Sequence, residues 1–456
     1  MDNIHQFDIA IDNSTLHLLT AACGDAKDKA SAQRLLQRLK GGHYLPTAKI
    51  DVVDCVQLCK ALVSGGRSLH RGIEVLELMT KGWAIKPNAK LCSILIFGCT
   101  EANAFTQGKR VHAIITKNEV VIDPPLWKAL ALMYIKSGVL DSQAMSVFDD
   151  WRAKASNQPG SISVWNAMLG ALAKKGNKQK ALAMLDDMKA SGVLPDRMTL
   201  LVALPICGDL GLHSKGVELH SYLIERDIPV DDYLAAALIS MYSKCGKLEK
   251  AMTLFNELRA RDSTSTPIGV NCWTAIISAN AQCGHGKEAL ALFDEMLDAK
   301  IPPNHVTFLA CASACGEVRS LERGRELHSR ITESGIPIND FLGAALISMY
   351  DKCGDLDSAM TRFQELQEKG TSTWNAIIGA HARHPTKTAH ALKLFDDMKA
   401  SGIRPDAVTF SAALSACCKG DEALKRGKEI HAQIIKSRIP LDDFITSALI
   451  TMYSQC

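Results

Sequence analysis

The chain has 456 residues, 47% of them hydrophobic, and a formal net charge of +3. So small a charge excludes a protein that holds nucleic acid by bulk charge alone, because such binding depends on many cation–phosphate contacts. No apolar run reaches the roughly 18 residues of a transmembrane helix, so the sequence predicts no membrane span.

Fifteen cysteines are present, but the chain is too long for a small disulfide-stabilised domain. Most of them recur at fixed places and substitute for small apolar residues, so we expect reduced, buried thiols in a reducing compartment. The first eight residues carry acids and lack the arginines of a transit peptide and the apolar core of a secretory signal. This indicates either a cytosolic chain or one whose true start is missing.

One segment recurs about every 108 residues. Residues 238–246 return as 346–354, and the same pattern begins again at 449–456. A fixed period predicts a repeat array, in which each unit contacts only its neighbours. In such an array, function depends on what every unit presents on a shared face.

Three kinds of unit alternate, with lengths of about 35, 35 and 31 residues. Residues 1–52 are expected to be an N-terminal cap or a degraded unit, 53–88 resemble a worn first kind, and 443–456 are a truncated final unit. The array 53–442 continues as 89–123, 124–154, 162–196, 197–231, 232–262, 270–304, 305–339, 340–370, 371–406 and 407–442.

Each unit is predicted to be a pair of helices. In 162–196, Trp165 and Leu172 belong to an apolar face with helical spacing, which Gly176 interrupts. A second apolar face ends at Gly192, a typical helix stop. No alternating strand pattern is present.

One helix pair cannot bury both of its faces, so neighbouring pairs must stack. The predicted fold is therefore an all-α helix-turn-helix solenoid with a groove along one side. Surface loops are expected at 155–161 and 263–269, where Ser, Thr, Pro and Gly cluster.

A helix pair of about 35 residues that ends in Gly-x-x-Pro-Asp resembles the pentatricopeptide repeat, and the alternation of lengths resembles its PLS class. The resemblance covers about residues 53–456. It implies a right-handed superhelix of about 11 units that binds single-stranded RNA, one unit per base. It also implies a role in organellar transcripts, in editing-site recognition, processing or stabilisation. The mitochondrion is the expected location, with plastid or cytoplasm left open.

A tetratricopeptide-type array that holds protein partners is the alternative. Its 34-residue unit has a different signature. Here a tryptophan stands directly before the fifth residue of each clear first-kind unit, and units end in Pro-Asp or Pro-Asn. These features favour the RNA-binding family over the protein scaffold.

The resemblance assigns base reading to the fifth and last residues of a unit, whose amides or hydroxyls can meet the edge of an unstacked base. The implied partial target is U-x-x-A-x-x-U. Residues of these types also cap helices, and that simpler role stays open for each one. The pairs are Asn166 with Asp196 and Asn375 with Asp406, which resemble the uracil combination, and Thr274 with Asn304, which resembles the adenine combination.

The other units have poorer readers, because Leu and Ala at the fifth place offer no side-chain hydrogen bond. We expect these units to space the readers and to contribute stacking surface. First-kind units have a polar second residue where the family usually has an aliphatic side chain that sandwiches the base; these are Ser163, Asn271 and Ser372. The fifth residues of the other units are Lys128, Leu201, Ala236, Leu309, Ala344 and Ser411.

A basic residue recurs at the thirteenth place of the first- and third-kind units, with Gln282 as the exception. Such a column would meet phosphates with few charges in total. The alternative is a solvated helix end, where the dipole favours a cation. The residues are Lys136, Lys174, Lys244, Lys352 and Arg383.

Four Cys–His pairs recur in the second-kind units, but each supplies only two of the roughly four ligands of a zinc site. They predict packing, and neither a metal nor a cofactor is expected. The deaminase motifs that editing relatives often carry at their C-terminus do not occur. The chain is therefore expected to be a non-enzymatic monomer, with any deaminase or other effector acting in trans or encoded in a missing C-terminus. The pairs are Cys99–His112, Cys207–His220, Cys315–His328 and Cys417–His431.

Overall fold

The computed structural model describes residues 13–40, 50–63, 69–137, 142–155, 161–261, 268–417, 421–437, 439–440 and 442–455. These residues form 25 helices and no strand. The helices are α1 (Asn13–Ala26), α2 (Lys29–Lys40), α3 (Val52–Val63), α4 (Leu69–Lys81), α5 (Ala89–Glu101), α6 (Phe105–Lys117), α7 (Pro124–Lys136), α8 (Ser142–Ala155), α9 (Ile162–Lys174), α10 (Lys178–Ala190), α11 (Arg197–Asp209), α12 (His213–Glu225), α13 (Asp232–Lys244), α14 (Leu248–Arg261), α15 (Val270–Gln282), α16 (Gly286–Asp298), α17 (His305–Val318), α18 (Leu321–Glu333), α19 (Asp340–Lys352), α20 (Leu356–Glu365), α21 (Thr371–Arg383), α22 (Thr388–Ala400), α23 (Ala407–Ser415), α24 (Asp421–Ser437) and α25 (Asp443–Gln455).

The predicted helix pairs are confirmed. In 162–196, α9 and α10 are separated by a turn at Gly176, whose φ of 77° lies in the left-handed region that favours glycine. Gly192 follows the end of α10 and has a φ of 74°. Both glycines therefore end helices because another residue would be strained at these angles.

The chain divides into two compact units, Met1–Ile206 and Cys207–Cys456. In the first unit, α1, α3, α5, α7 and α9 pack side by side in chain order. In the second, α13, α15, α17, α19, α21, α23 and α25 do the same. Because these are the first helices of successive pairs, a given place in the repeat recurs along a row of neighbouring helices.

Aromatic side chains fill each junction between a third-kind unit and the following first-kind unit. A buried tryptophan meets a phenylalanine of the preceding helix nearly edge-on, a geometry that contributes about 0.5–1.5 kcal/mol beyond area burial. Since each tryptophan directly precedes the fifth residue, its burial also fixes the turn that carries that residue. The pairs and their ring-centroid distances are Phe148–Trp165 at 5.3 Å, Phe255–Trp273 at 4.8 Å and Phe363–Trp374 at 4.7 Å.

A carboxylate from the preceding unit caps α21. Asp340 accepts the backbone N–H of Ser372 at 2.9 Å and that of Thr373 at 2.9 Å, and the Thr373 hydroxyl donates to it at 2.8 Å. Gly370, which precedes α21, makes no side-chain cap, and a Cβ there would lie 2.5 Å from the Asp340 carboxyl. The glycine is needed for space, so that a neighbouring helix can supply the cap.

The same device caps α15. Asp232 accepts the backbone N–H of Cys272 at 2.9 Å and that of Asn271 at 3.1 Å, and the Asn271 side-chain amide donates to it at 2.7 Å. Gly269, which precedes α15, again has no side chain that would clash with the Asp232 carboxyl. The polar second residues of these first-kind units therefore belong to a junction between repeats.

Several predictions concern segments at the edge of the described residues. Residues 13–40 are the helix pair α1 and α2, inside the predicted segment 1–52, while 1–12 and 41–49 lie outside the described residues. Most of the loops predicted at 155–161 and 263–269 also lies outside them. No described helix is both long and apolar enough to cross a membrane.

Candidate nucleic-acid interface

Asn166 and Asp196, the fifth and last residues of unit 162–196, meet where that unit joins the next. Asn166 is the fifth residue of α9, and Asp196 directly precedes α11. The Asn166 Nδ2 donates to Asp196 Oδ1 at 3.0 Å. The same Asp196 oxygen accepts the backbone N–H of Thr199 at 2.8 Å, so Asp196 also caps α11. The predicted reader pair and the predicted cap are thus present in one arrangement.

Thr199 completes this arrangement, which we call the Asn166 triad (Asn166, Asp196 and Thr199). Its hydroxyl donates to Asn166 Oδ1 at 2.6 Å and lies 2.8 Å from Asp196 Oδ1. It accepts the backbone N–H of Asp196 at 3.1 Å. Burial opposes ionisation of Asp196, but hydrogen bonds from Thr199 and Asn166 hold its pKa below the ordinary value. The carboxylate is therefore charged at neutral pH.

A second triad has the same chemistry, formed by Asn375, Asp406 and Thr409. The Asn375 Nδ2 donates to the Asp406 carboxylate, at 3.0 Å to Oδ1 and 3.2 Å to Oδ2. The Thr409 hydroxyl donates to Asn375 Oδ1 at 2.5 Å. Asp406 and Thr409 also form a capping box at the start of α23. Asp406 is exposed, so this triad faces solvent.

The third triad, formed by Thr274, Asn304 and Thr307, has a different pattern of hydrogen bonds. The Thr274 and Thr307 hydroxyls lie 2.7 Å apart. The Thr307 hydroxyl in turn lies 3.1 Å from Asn304 Oδ1 and accepts the Asn304 backbone N–H at 3.2 Å. In this triad Thr307 therefore links the two predicted readers. Thr274 is only 7% exposed.

Each triad leaves hydrogen-bonding capacity for a ligand. An asparagine amide has two N–H groups and two oxygen lone pairs, and the triads of Asn166 and Asn375 occupy one N–H and one lone pair. One donor and one acceptor of each amide therefore remain free. Thr274 has a single hydroxyl, so it can present one donor or one acceptor at a time.

The threonines of the triads were not among the residues predicted from the sequence. Each stands three residues after the capping residue, and Asp-x-x-Thr or Asn-x-x-Thr at 196–199, 304–307 and 406–409 is visible in the sequence. That spacing resembles a capping box. It would have predicted the hydroxyl at the cap, although not its contact with the preceding unit.

The polarity of the second residue of a unit depends on the kind of unit. In the first-kind units it is polar, and Asn271 and Ser372 serve the junction caps. In the second- and third-kind units of the array from 197 onward it is apolar and exposed. These residues and their exposures are Met198 (52%), Tyr233 (61%), Val306 (53%), Phe341 (65%), Val408 (60%) and Phe444 (77%).

Asn375 lies beside a groove of about 470 Å³ between α21, α23 and α25. Its lining includes Asn375, Arg383, Val408, Ser411 and Phe444. The groove thus combines the Asn375 amide, a cation, the Ser411 hydroxyl and two exposed apolar side chains. These are the elements that a protein uses to hold an unstacked base.

The predicted basic residues are all exposed, and each ends the first helix of its unit. Lys244 Nζ lies 2.6 Å from Asp209 Oδ1, and the Arg383 guanidinium binds the buried carboxylate of Asp351 at 2.5 Å. These acids compete with a phosphate for the two cations. Among the described residues Lys352 forms no ion pair. The five are Lys136, Lys174, Lys244, Lys352 and Arg383.

Comparison with known proteins identifies the family of the repeats. The PPR repeat family matches at residues 160–204, 269–317 and 369–419, and a further PPR repeat matches at 236–263. A chloroplastic pentatricopeptide repeat-containing protein of Arabidopsis thaliana is 32% identical over 375 residues, which is 82% of this chain and 58% of that protein. Another from Arabidopsis thaliana is 33% identical over 411 residues, 88% of this chain and 64% of that protein.

This chain is a pentatricopeptide repeat protein. The crystal structure of the maize pentatricopeptide repeat protein PPR10 has the same fold, with a TM-score of 0.66 and 18% identity, over 99% of this chain and 68% of that one. The chain spans about half the length of three Arabidopsis thaliana relatives, namely 48%, 58% and 41%.

The Cys–His pairs of this pentatricopeptide repeat protein are engaged in packing. Each histidine Nδ1 lies 2.8–3.1 Å from the hydroxyl of a tyrosine in the next repeat. Burial lowers the pKa of His112, and it raises the pKa of Cys99 to about 11 and that of Cys315 to about 12. Neutral thiols of this kind are poor metal ligands. The four histidine–tyrosine pairs are His112–Tyr134, His220–Tyr242, His328–Tyr350 and His431–Tyr453.

One group of possible metal ligands, His17, Asp51 and Asp54, lies near the start of the described residues, with ligand atoms within 4.8 Å of one another. Asp54 is buried and accepts the Thr20 hydroxyl at 2.6 Å, and His17 Nδ1 lies 2.8 Å away. The carboxylate is thus satisfied by its neighbours. A structural role at the junction of α1 and α3 accounts for the group.

Proposed function

We propose that this pentatricopeptide repeat protein binds single-stranded RNA sequence-specifically, one base per repeat, and that its repeats are of the PLS class. The observation that supports this is the triad at three repeat boundaries. A residue that only caps the first helix of a repeat needs no bond to the first helix of the repeat before. Here the capping residue is joined each time, directly or through the threonine, to the fifth residue of that earlier first helix.

The two asparagine triads suit uracil. The uracil edge carries an N3–H donor beside carbonyl acceptors, and the free acceptor and donor of Asn166 or Asn375 complement such a pair. Thr274 with Asn304 suits adenine, whose N1 acceptor lies beside the N6 amino donor. The proposed partial target is U-x-x-A-x-x-U.

Affinity would come from stacking and from the backbone. The exposed apolar second residues, such as Val408 and Phe444 beside Asn375, offer surfaces on which bases stack, a contribution of about 1–3 kcal/mol per base. Lys136, Lys174 and Lys352 are the cations best placed to meet phosphates, because Lys244 and Arg383 have acidic partners. A few local charges are consistent with a net charge of only +3.

We further propose a role in organellar transcripts, in editing-site recognition, processing or stabilisation. Four of the Arabidopsis thaliana relatives are named as chloroplastic, which favours a plastid over the mitochondrion expected from the sequence. The array binds and positions RNA in this proposal. A deaminase or another effector would act on the bound transcript in trans, with the array as a monomer.

The test is fluorescence anisotropy with labelled oligonucleotides at fixed salt. At about 1 kcal/mol for each lost hydrogen bond, the U-x-x-A-x-x-U oligomer should bind more than tenfold tighter than A-x-x-G-x-x-A. The double variant Asn166→Ala with Asn375→Ala should lose affinity and preference, whereas Asn256→Ala, at an exposed position of α14, should not.

Equal binding of the two oligomers would refute base reading. If the double variant binds RNA as well as the wild type and a protein partner occupies the same surface, the alternative of a protein-interaction scaffold replaces the proposal.

A further inference from the structure

We propose that Thr199, Thr307 and Thr409, each from the repeat after the reader, determine which hydrogen-bonding atom the reader presents to the base. This inference rests on the proposed RNA binding and deepens it. The threonines are third in their repeats and are thus distinct from the fifth and last residues to which base reading is assigned.

Asn166 and Asn375 could each turn either end of the amide toward a base. Oxygen and nitrogen have nearly the same shape, so a rotated amide would present an acceptor where it now presents a donor. The Thr409 hydroxyl donates to Asn375 Oδ1 at 2.5 Å, while Asp406 accepts from Nδ2 at 3.0 Å. Rotation would break both contacts and bring the amide oxygen against the carboxylate. The threonine and the aspartate together therefore fix the amide.

At Thr274, the direction of a hydroxyl proton decides whether a base meets a donor or an acceptor. The Thr307 hydroxyl accepts the backbone N–H of Asn304 at 3.2 Å, and its own proton has two acceptors, Thr274 Oγ1 at 2.7 Å and Asn304 Oδ1 at 3.1 Å. Thr274, the reader, is the nearer acceptor. In the other triads the threonine hydroxyl is also nearer to the reader than to the capping aspartate, at 2.6 against 2.8 Å for Thr199 and 2.5 against 2.9 Å for Thr409.

We assign the Thr307 proton to Thr274 on this basis. The Thr274 proton is then free to point at the base. A donor there matches the N1 acceptor of adenine and opposes the N1–H donor of guanine. Thr307 would thus determine the preference between the two purines.

Burial strengthens this control. Thr199, Thr307 and Thr409 are all 0% exposed, so water cannot replace their partners. A buried hydroxyl without a partner is costly, and the hydrogen bonds within the triad are what satisfy each one. An exposed cap would have no such constraint.

Thr307→Val tests the proposal, because valine keeps the shape and removes the hydroxyl. Anisotropy would compare oligonucleotides with A or G at the middle reading position. The wild type should prefer A. In Thr307→Val the A-to-G preference should fall by about threefold to tenfold, as expected for one hydrogen bond, and Thr307→Ser should restore it.

Ser358→Ala is the matched control. Ser358 donates its backbone N–H and its hydroxyl to Asp355 at the start of α20, so it makes a cap of the same kind without a reader. This variant should leave the A-to-G preference unchanged. Circular dichroism melting would show that each variant is folded.

An A-to-G preference in folded Thr307→Val within twofold of the wild type would overturn the proposal. If that variant fails to fold, the same test is made with Thr409→Val. An unchanged preference for U over C at the last reading position in that variant would then overturn the proposal. RNA binding without base preference in the wild type contradicts the proposed base reading itself, which is a different outcome from an unchanged preference in the threonine variants.

Discussion

Asp340 caps the start of α21, the helix that carries Asn375, and Asp340→Ala should destabilise that helix. The substitution leaves three donors without their acceptor: two backbone N–H groups and the Thr373 hydroxyl. The Thr373 hydroxyl keeps a second acceptor, the carbonyl of Gly370 at 3.0 Å. Ser372 is half-exposed, so water can reach it.

The main loss is therefore the buried N–H of Thr373, since that residue is 0% exposed. An unsatisfied buried donor costs about 1–3 kcal/mol, and a lost N-cap costs about 0.5–2 kcal/mol. These ranges describe the same contact, so they are not added. We expect a loss of about 2 kcal/mol in the free energy of unfolding.

Urea unfolding monitored by circular dichroism measures the loss, and amide hydrogen exchange should locate it in α21. Asp357→Ala is the control, because Asp357 is an exposed acid in the first turn of α20 that caps nothing. It should change stability by less than about 0.5 kcal/mol. A loss no larger in Asp340→Ala than in the control would refute the reasoning.

The same cap predicts a pH dependence. Burial opposes ionisation of Asp340, but hydrogen bonds from Thr373 and Ser372 hold its pKa below the ordinary value. A carboxyl with a lowered folded pKa stabilises the fold fully above the unfolded pKa of about 3.9 and ceases to do so as pH falls through the folded pKa. The advantage of the wild type over Asp340→Asn should thus be complete at neutral pH and disappear in strong acid.

Two further predictions concern the surface and the thiols. Lys352→Ala should reduce the slope of log affinity against log salt by about 0.7, the value for one phosphate contact on a single strand. The control Lys393→Ala, at an exposed site on α22, should leave the slope unchanged. Equal slopes in wild type and Lys352→Ala would exclude a phosphate contact. At pH 8 iodoacetamide should label the exposed Cys283 well before Cys315, because burial raises the pKa of Cys315 to about 12. Mass spectrometry of the two peptides would measure the labelling. Equal labelling in the folded protein would contradict the burial of Cys315.

Much of the fold was predictable because its signals are local. Apolar residues at helical spacing predicted α9 and α10, and Gly176 and Gly192 predicted where they end, since left-handed backbone angles favour glycine. The period of about 108 residues predicted stacking. The capping part of the triads was open to the same reasoning, because a cap and its donor lie only three residues apart.

The contacts across the repeat boundary were not predictable in this way. The Asn271 amide and the Ser372 backbone serve carboxylates 39 and 32 residues away, and the Thr409 hydroxyl meets an amide 34 residues away. From the sequence, the polar second residues were a departure from the family pattern. In the structure, those at 271 and 372 take part in junction caps, and exposed apolar side chains occupy the second place of the neighbouring repeats instead.

The sequence by itself determined the helix pairs, their period, their family and the residue types available at the fifth and last places. Only the tertiary structure decided which of these residues meet, because stacking brings the last residue of a repeat and the first turn of the next repeat against the fifth residue. That packing adds a buried threonine to each reader pair and supplies caps from one repeat to the next. Hydrogen bonds of this kind depend on how neighbouring helices are placed, and no local pattern along the chain specifies that placement.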